Sequence, residues 1–409
     1  MKLINLSENV YRNYANIHSR RNFGQTIEYA YLETNIHKQR LFLGLVDDNN
    51  NIHAASLILI HNVSTTVTEA IAPNGFLIDY ANYALVKAFN ELLIKRLKKE
   101  KVTYLITNPM FKYHVINKKN MIILNNENIL NNLYMLGYDS IGYYSDFEKY
   151  DVIIENDIST HDIYRNFNRN TKRNINEATK LGINLRKGTI NDIEEAYNIF
   201  KKKTTKSLDY YRNLMNIYNN KDNKMELFFA SLNPHKYLVN IQKLYEKEKK
   251  KNEKIHLIFE RHIGNISDRL LNRKINSDKT VEKYRNELNN AIKISQKYNT
   301  DIVIGTVIVI KNNHEIYFLI DGYKEEFRRI HTTHILKWAI IKKYFERGYH
   351  IFNLGEIHKD YYNKNSKYYG QYRYKIGFGG NIIEYTPNLM YVINKPLYNL
   401  YTKINRKKK

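Results

Sequence analysis

Cysteine is absent from the chain. Disulfides and thiolate metal sites are therefore excluded, and the redox setting leaves no mark on the sequence. Nor is there an uninterrupted apolar run long enough to cross a bilayer, and the opening MKLINLSENVYRNYAN has no apolar stretch between a basic head and a small-residue cleavage site. The expectation is a soluble, cytoplasmic protein. Glycine is scarce, with 16 in 409 residues, so any local concentration of it carries information. Acidic residues are outnumbered, 41 against 65 Lys and Arg, which leaves a formal charge of +24. Such an excess suits nucleic acid, phosphate-bearing substrates or an anionic membrane face. Lys, Asn, Ile and Tyr recur throughout, as A+T-rich coding gives without selection for binding, so both origins of the charge stay open. What the chain does have is 43% hydrophobic residues, over a length sufficient for two or three domains with their own cores.

RLFLGLV (Arg40 to Val46) and HAASLILI (His53 to Ile60) flank the polar DDNNN, which is a hairpin signal. Apolar residues at helical intervals predict a helix over Tyr80 to Glu100, and VTYLIT (Val102 to Thr107) predicts a strand stopped by Pro109. Helix and strand alternate, so a sheet covered by helices is expected. From Asp151 the pattern begins again, with a basic helix ending at Gly182, the strand-like INLRKG, two helical segments and a strand over Met225 to Leu232. We therefore expect an α/β (α+β) protein with a first domain over 1–150 and a second over 151–387, the second repeating the first by pattern alone.

Between Lys236 and Thr300 the chain is charged and sparsely apolar. Ile255, Phe259, Ile263, Ile266 and Leu270 follow three- and four-residue steps, NSDK (Asn276 to Lys279) breaks the run, and Val281, Tyr284, Leu288, Ala291 and Ile292 resume it. An antiparallel helical coiled-coil arm over 237–299, turning at NSDK, fits this best. A single solvated helix with a loop is the alternative. The β-branched DIVIGTVIVI then returns the chain to sheet, so the ends of the arm must lie close together.

Near the C-terminus three of the scarce glycines, Gly377, Gly379 and Gly380, follow Lys375 in YRYKIGFGGNIIEYTPNLMYVINKPLYNLY. This segment resembles the terminal signature of the FemABX family, with Tyr372, Tyr374, Lys375, Gly377, Phe378, Gly379, Gly380, Glu384, Tyr385, Pro396, Leu397, Tyr398, Leu400 and Tyr401 in matching places. KRNINEATKLGI (Lys172 to Ile183), APNGFLIDY (Ala72 to Tyr80), FNLGEI (Phe352 to Ile357) and HILKWAIIKKYFERGYHIFNLG (His334 to Gly355) are similar to other family segments, and arm-bearing members carry a helical hairpin at the corresponding place. The resemblance implies two GNAT-like acetyltransferase-type domains, with the tail 388–409 packing back on the first. It also implies transfer of an amino acid from aminoacyl-tRNA to the stem-peptide amine of a lipid-linked peptidoglycan precursor such as lipid II, building interpeptide bridges. No cofactor is implied, acetyl-CoA included, and contact with the cytoplasmic membrane face would be peripheral. Transfer to an amine outside peptidoglycan, and a non-catalytic protein binding RNA or an anionic surface, remain as alternatives.

An aminoacyl ester is already activated, so the enzyme must deliver a neutral amine, hold it near the ester carbon and stabilise the oxyanion. A lysine at a strand end suits the last task, and the resemblance places Lys375 and Tyr374 at the tRNA acceptor end, where Tyr374 could stack on a base. Gly377, Gly379 and Gly380 would let the backbone approach a ligand or a neighbouring strand. On the acceptor side the family's precursor-binding lysine falls on Glu33, its arginine on Lys206 before the aromatics Tyr210 and Tyr211, and its F-D-P aspartate on Asn108. Lysine keeps the charge but loses the bidentate fork, and an amide cannot take a proton from the attacking amine. Lys172 and Arg173 on the basic helix are candidates for tRNA phosphates. His331 and His334 in HTTH lack a third ligand, so no metal site is expected.

Overall fold

The computed structural model describes residues 1–32, 39–145, 149–312 and 315–406. Its first hairpin shows how local chemistry sets the pattern. Strands Gln39–Val46 and Ile52–Asn62 pair antiparallel, and the Asp47 carboxylate between them accepts from the backbone N–H groups of Asn49 (2.9 Å) and Asn51 (2.8 Å). Asn50 takes the left-handed conformation the turn needs, with φ 63.

In chain order the first unit is β1 (Lys2–Asn5), α1 (Glu8–Ile17), α2 (Ile27–Leu32), β2 (Gln39–Val46), β3 (Ile52–Asn62), β4 (Thr68–Ala72), α3 (Tyr83–Lys99) and β5 (Tyr104–Thr107). Then come β6 (Lys112–Ile116), β7 (Ile122–Asn125), α4 (Glu127–Met135), β8 (Asp139–Gly142) and β9 (Tyr150–Glu155). The second unit follows with α5 (Thr160–Asn166), α6 (Arg169–Lys180), β10 (Asn184–Lys187), α7 (Ile193–Phe200), α8 (Leu208–Ile217) and β11 (Lys224–Leu232). After the arm helices α9 (Pro234–Glu260) and α10 (Asp268–Lys297), it continues with β12 (Ile302–Lys311), β13 (Glu315–Tyr323), α11 (Thr332–Phe345) and β14 (Ile351–Ile357). The chain ends with α12 (Tyr369–Ile376), β15 (Asn381–Tyr385), β16 (Asn388–Val392) and α13 (Lys395–Arg406).

Two sheets result, ordered β1-β2-β3-β4-β5-β16-β8 and β10-β11-β12-β13-β14-β9-β15-β6-β7. Both begin with an antiparallel run of strands and then a parallel pair, β4 with β5 and β13 with β14, joined through α3 and α11. The strand-helix-helix-strand opening also recurs, so the repeat seen in the pattern is a repeat of topology. The sheets are not contiguous in sequence. β6 and β7 join the second sheet, and β16 crosses back between β5 and β8 of the first.

The arm departs from the expectation in one respect. Its turn lies at residues 261–267, and NSDK is inside α10. The reason is local. Gly264 adopts φ +104, and the Ser267 hydroxyl caps α10 by accepting from the Leu270 N–H at 3.3 Å. Asp278, by contrast, makes helix-surface contacts, accepting from Asn252 (2.6 Å) and pairing with His256 (2.6 Å) across the antiparallel pair. At its root the arm is not separate, because Tyr237, Ile241, Ala291 and Ile294 are buried in the core of the second unit.

Candidate active site

The site arises where β13 and β14 part. They are paired only over Glu315 to Tyr317 against Ile351 to Asn353, although β13 runs on to Tyr323 and β14 to Ile357. On the far side β14 has an irregularity between Asn353 and Glu356 in its pairing with β9, and Gly355 within it has φ +82. A cleft of about 790 Å³ opens there, bounded by β13, β14, the start of α11 and α12.

Lys375 reaches this cleft from α12. The segment expected as a strand end is helical, since YGQYRYKI closes a turn that brings Tyr372 onto Tyr361 and Tyr374 against His334. The Lys375 Nζ donates to the Glu356 carbonyl at 2.7 Å. A Cβ on Gly355 would stand 3.2 Å from that nitrogen, so glycine is what leaves the ammonium its seat. Burial, then the nearby Lys337, pushes the Lys375 ammonium down to about 8. Tyr374 beside it is partly buried, with its hydroxyl out of solvent near Thr333 and Asp321 and without a hydrogen bond of regular geometry, and burial raises its phenol well above the ordinary value.

Two cleft groups, Lys337 and Lys203, were not singled out from the sequence. Lys337 on α11 is 2% exposed and pairs with Asp321 of β13 at 3.0 Å, and Lys203 approaches the other Asp321 oxygen at 3.3 Å. Burial opposes ionisation of Asp321, but the two lysines outweigh it and hold the carboxyl well below the usual range. Burial pushes the Lys337 ammonium below its ordinary value against the pull of Asp321. A signal was available, because Lys337 lies at helical spacing from Ile341 and Tyr344, both buried. His334 also lines the cleft, and burial followed by His331 lowers its imidazole to about 3, so it is neutral. Among the described residues no cluster of His, Asp or Glu could hold a metal ion.

The remaining expected residues lie elsewhere or do other things. The glycines pack against protein. A Cβ on Gly377 would meet Thr171 at 2.4 Å, on Gly379 the Asn166 carbonyl at 2.7 Å, and on Gly380 the Ile153 carbonyl at 2.6 Å. They seat Phe378 against Phe167 and His334 and do not face a ligand space. Asn108 is in the first unit, where its amide accepts from the Asn74 N–H (2.7 Å) and donates to the Asn74 side chain (3.1 Å). Lys206, Tyr210 and Tyr211 are not among the residues lining the cleft. Tyr211 is a core residue donating to Thr204 at 3.0 Å, and Lys206 lies over the Tyr210 ring at 4.9 Å. Lys172 and Arg173 sit on α6, with the Lys172 ammonium on the Arg165 carbonyl at 2.8 Å and Arg173 exposed. Glu33 lies outside the described residues. Glu384 and Tyr385 of the signature are braces. Glu384 pairs with His114 (2.8 Å) and Lys149 (2.9 Å), and the Tyr385 hydroxyl donates to buried Asp151 at 3.3 Å.

A two-sheet α/β fold with a basic cleft between parting parallel strands defines the class, and comparison with known proteins gives the family. The sequence profile of the FemAB family matches residues 6–406. Aminoacyltransferase FemA of Staphylococcus epidermidis is 23% identical over 380 residues, covering 90% of each chain. Aminoacyltransferase FemB of S. epidermidis is 24% identical over 383 residues, covering 90% of this chain and 89% of that one. The crystal structure of FemX shares the fold, with a TM-score of 0.73 at 17% identity over 98% of this chain and 99% of that one. The chain belongs to the FemAB family and is an aminoacyltransferase.

Proposed function

We propose that this aminoacyltransferase takes its amino acid from aminoacyl-tRNA and adds it to the stem-peptide amine of a lipid-linked peptidoglycan precursor, working from the cytoplasmic side. The observation that carries the reading is the Lys375 ammonium seated over Gly355 where β13 and β14 part. A cleft of about 790 Å³ has the size of sites that enclose a small ligand, sufficient for an aminoacylated terminal nucleoside. In the transfer the acceptor nitrogen bonds to the ester carbon, the carbon's bond to the ribose oxygen breaks, and the proton lost by the amine balances the one gained by the departing hydroxyl. Lys375 meets the developing oxyanion with positive charge in a shielded place, where such charge acts most strongly. Asp321 cannot serve as the base in its present pairing, because both of its oxygens face lysines. Asn108 is committed to Asn74.

The test is to incubate the protein with a charged total-tRNA pool and lipid II and to read the product by mass spectrometry. One added residue or a short chain on the stem peptide, abolished by ribonuclease, is expected. Transfer to another amine while lipid II stays unmodified would keep the donor and overturn the acceptor. Transfer of acetyl groups from acetyl-CoA would overturn the reading.

A further inference from the structure

The β6–β7 ribbon carries four consecutive exposed large apolar residues at its turn and outer strand. β7 is the outer edge of the second sheet and, among the described residues, pairs only with β6. Met121, Ile122, Ile123 and Leu124 are 51%, 56%, 56% and 41% exposed. Successive strand residues point to opposite faces, so β7 exposes apolar side chains on both of its faces, while His114, Val115 and Ile116 of β6 are buried. A protein groove or a second edge strand would cover one face or only the backbone. An apolar medium covers both at once.

Charge stands beside this apolar ribbon. The turn carries Lys118 and Lys119, both exposed, and the Lys118 ammonium reaches the Asn166 carbonyl at 3.0 Å, next to the Arg165 carbonyl that binds Lys172. Arg165, Arg169 and Arg173 lie on the same α5–α6 junction. Of the nearby acids, Glu155 pairs with Lys112, and Glu127, 56% exposed, lies 3.6 Å from His114. An apolar strand flanked by cations is the composition of segments that settle at the boundary between headgroups and acyl chains of an anionic bilayer.

We propose that the β6–β7 ribbon is a membrane-surface anchor, with Met121 to Leu124 in the interfacial layer and Lys118, Lys119 and the α5–α6 cations on anionic lipid headgroups. Nucleic acid would satisfy the cations but leave four large apolar side chains in water. The inference stands apart from the transfer reaction, since lipid binding can be read without any substrate. It would hold the enzyme where a lipid-linked acceptor resides.

The full chain should float with vesicles of phosphatidylcholine and phosphatidylglycerol and not with phosphatidylcholine alone. Ile122→Ser with Ile123→Ser should weaken that binding more than about tenfold, given the cost of losing buried aliphatic groups. Lys118→Gln with Lys119→Gln should weaken it and make it less dependent on salt. Ile17→Ser, at an apolar position 77% exposed elsewhere, should leave it unchanged. Ile123→Trp should shift its emission to the blue when anionic vesicles are added, and a matching circular dichroism melt shows that each variant is folded. Flotation of the serine pair equal to that of the parent overturns the proposal. So does a serine pair that turns a dimer into a monomer with flotation unaltered, which would assign the strand to a second copy of the chain.

Discussion

At the scale of single residues, the proposed transfer turns on one ammonium that burial makes more acidic than usual. Because burial and Lys337 bring Lys375 down to about 8, its positive charge is present below that pH and is lost as pH rises through it. The acceptor amine gains nucleophilicity over the same range, so the informative quantity is the ratio of the parent rate to that of Lys375→Arg. Arginine remains charged throughout. That ratio should fall above about pH 8. A flat ratio would remove the ammonium from the mechanism. Lys375→Ala should keep the fold and lose about 10² to 10³ in transfer rate, the size of loss seen for a missing oxyanion donor. Asn108 makes the contrasting case. Its amide clamps Asn74, at φ 57, beside Gly75, at φ 81, so Asn108→Ala should cost about 1–3 kcal/mol in urea unfolding through the backbone N–H left unpaired. Its effect on transfer should follow stability alone.

At the scale of elements, the arm is half appendage and half core. α9 and α10 are 27 and 30 residues long, so the hairpin extends about 40 Å at the helical rise. Removing 240–297 outright would strip Ile241, Ala291 and Ile294 from the second unit's core. Several kcal/mol should go with them, at about 2–5 kcal/mol for each large aliphatic side chain lost. Trimming only 250–280 with a short turn keeps these residues and should move the melting temperature by no more than a few degrees. A trimmed protein that fails to fold would show that the distal arm belongs to the core. The Asp321–Lys337 pair works across elements in the same way. It ties β13 to α11, with the Lys337 ammonium over the Phe318 ring at 4.5 Å and the Tyr374 ring at 5.6 Å. α12 is thus braced from below by a cation that also lowers its own lysine.

Across the whole molecule, the two units are clasped at a polar seam. Glu28 of α2, 3% exposed, pairs with Arg12 and accepts from Asn220 (2.7 Å) and Asn223 (2.9 Å) of the loop before β11. Phe23 stacks on Tyr218 at 5.0 Å, and the Thr26 and Tyr218 hydroxyls meet at 2.8 Å. Glu28→Leu leaves a cation and two amides without their partner and should cost about 3–5 kcal/mol. It should also uncouple the units, so that the fluorescence of Trp338, which reports the second unit, no longer tracks circular dichroism during unfolding. Coincident transitions would show that other contacts suffice. The net charge of +24 acts at this scale as well. Affinity for tRNA should fall steeply with added salt through counterion release, and a flat response would assign the charge to composition.

The sequence by itself determined the local elements and the family. DDNNN could only turn, the spacing over Tyr80 to Glu100 gave α3, and the terminal signature marked Lys375. These are short-range effects, written in neighbouring residues. It misplaced the arm's turn because a polar interruption and a helix surface have the same composition, and the deciding features, a left-handed Gly264 and a capping Ser267, act through backbone geometry. It read α12 as strand because aromatic content favours β structure, whereas packing of Tyr372 and Tyr374 against distant rings outweighs that preference. Only the tertiary structure decided what surrounds Lys375. Gly355, Asp321 and Lys337 come from β14, β13 and α11, separated in sequence and joined by the parting of two parallel strands, and a charge environment made by distant segments has no local signature to read.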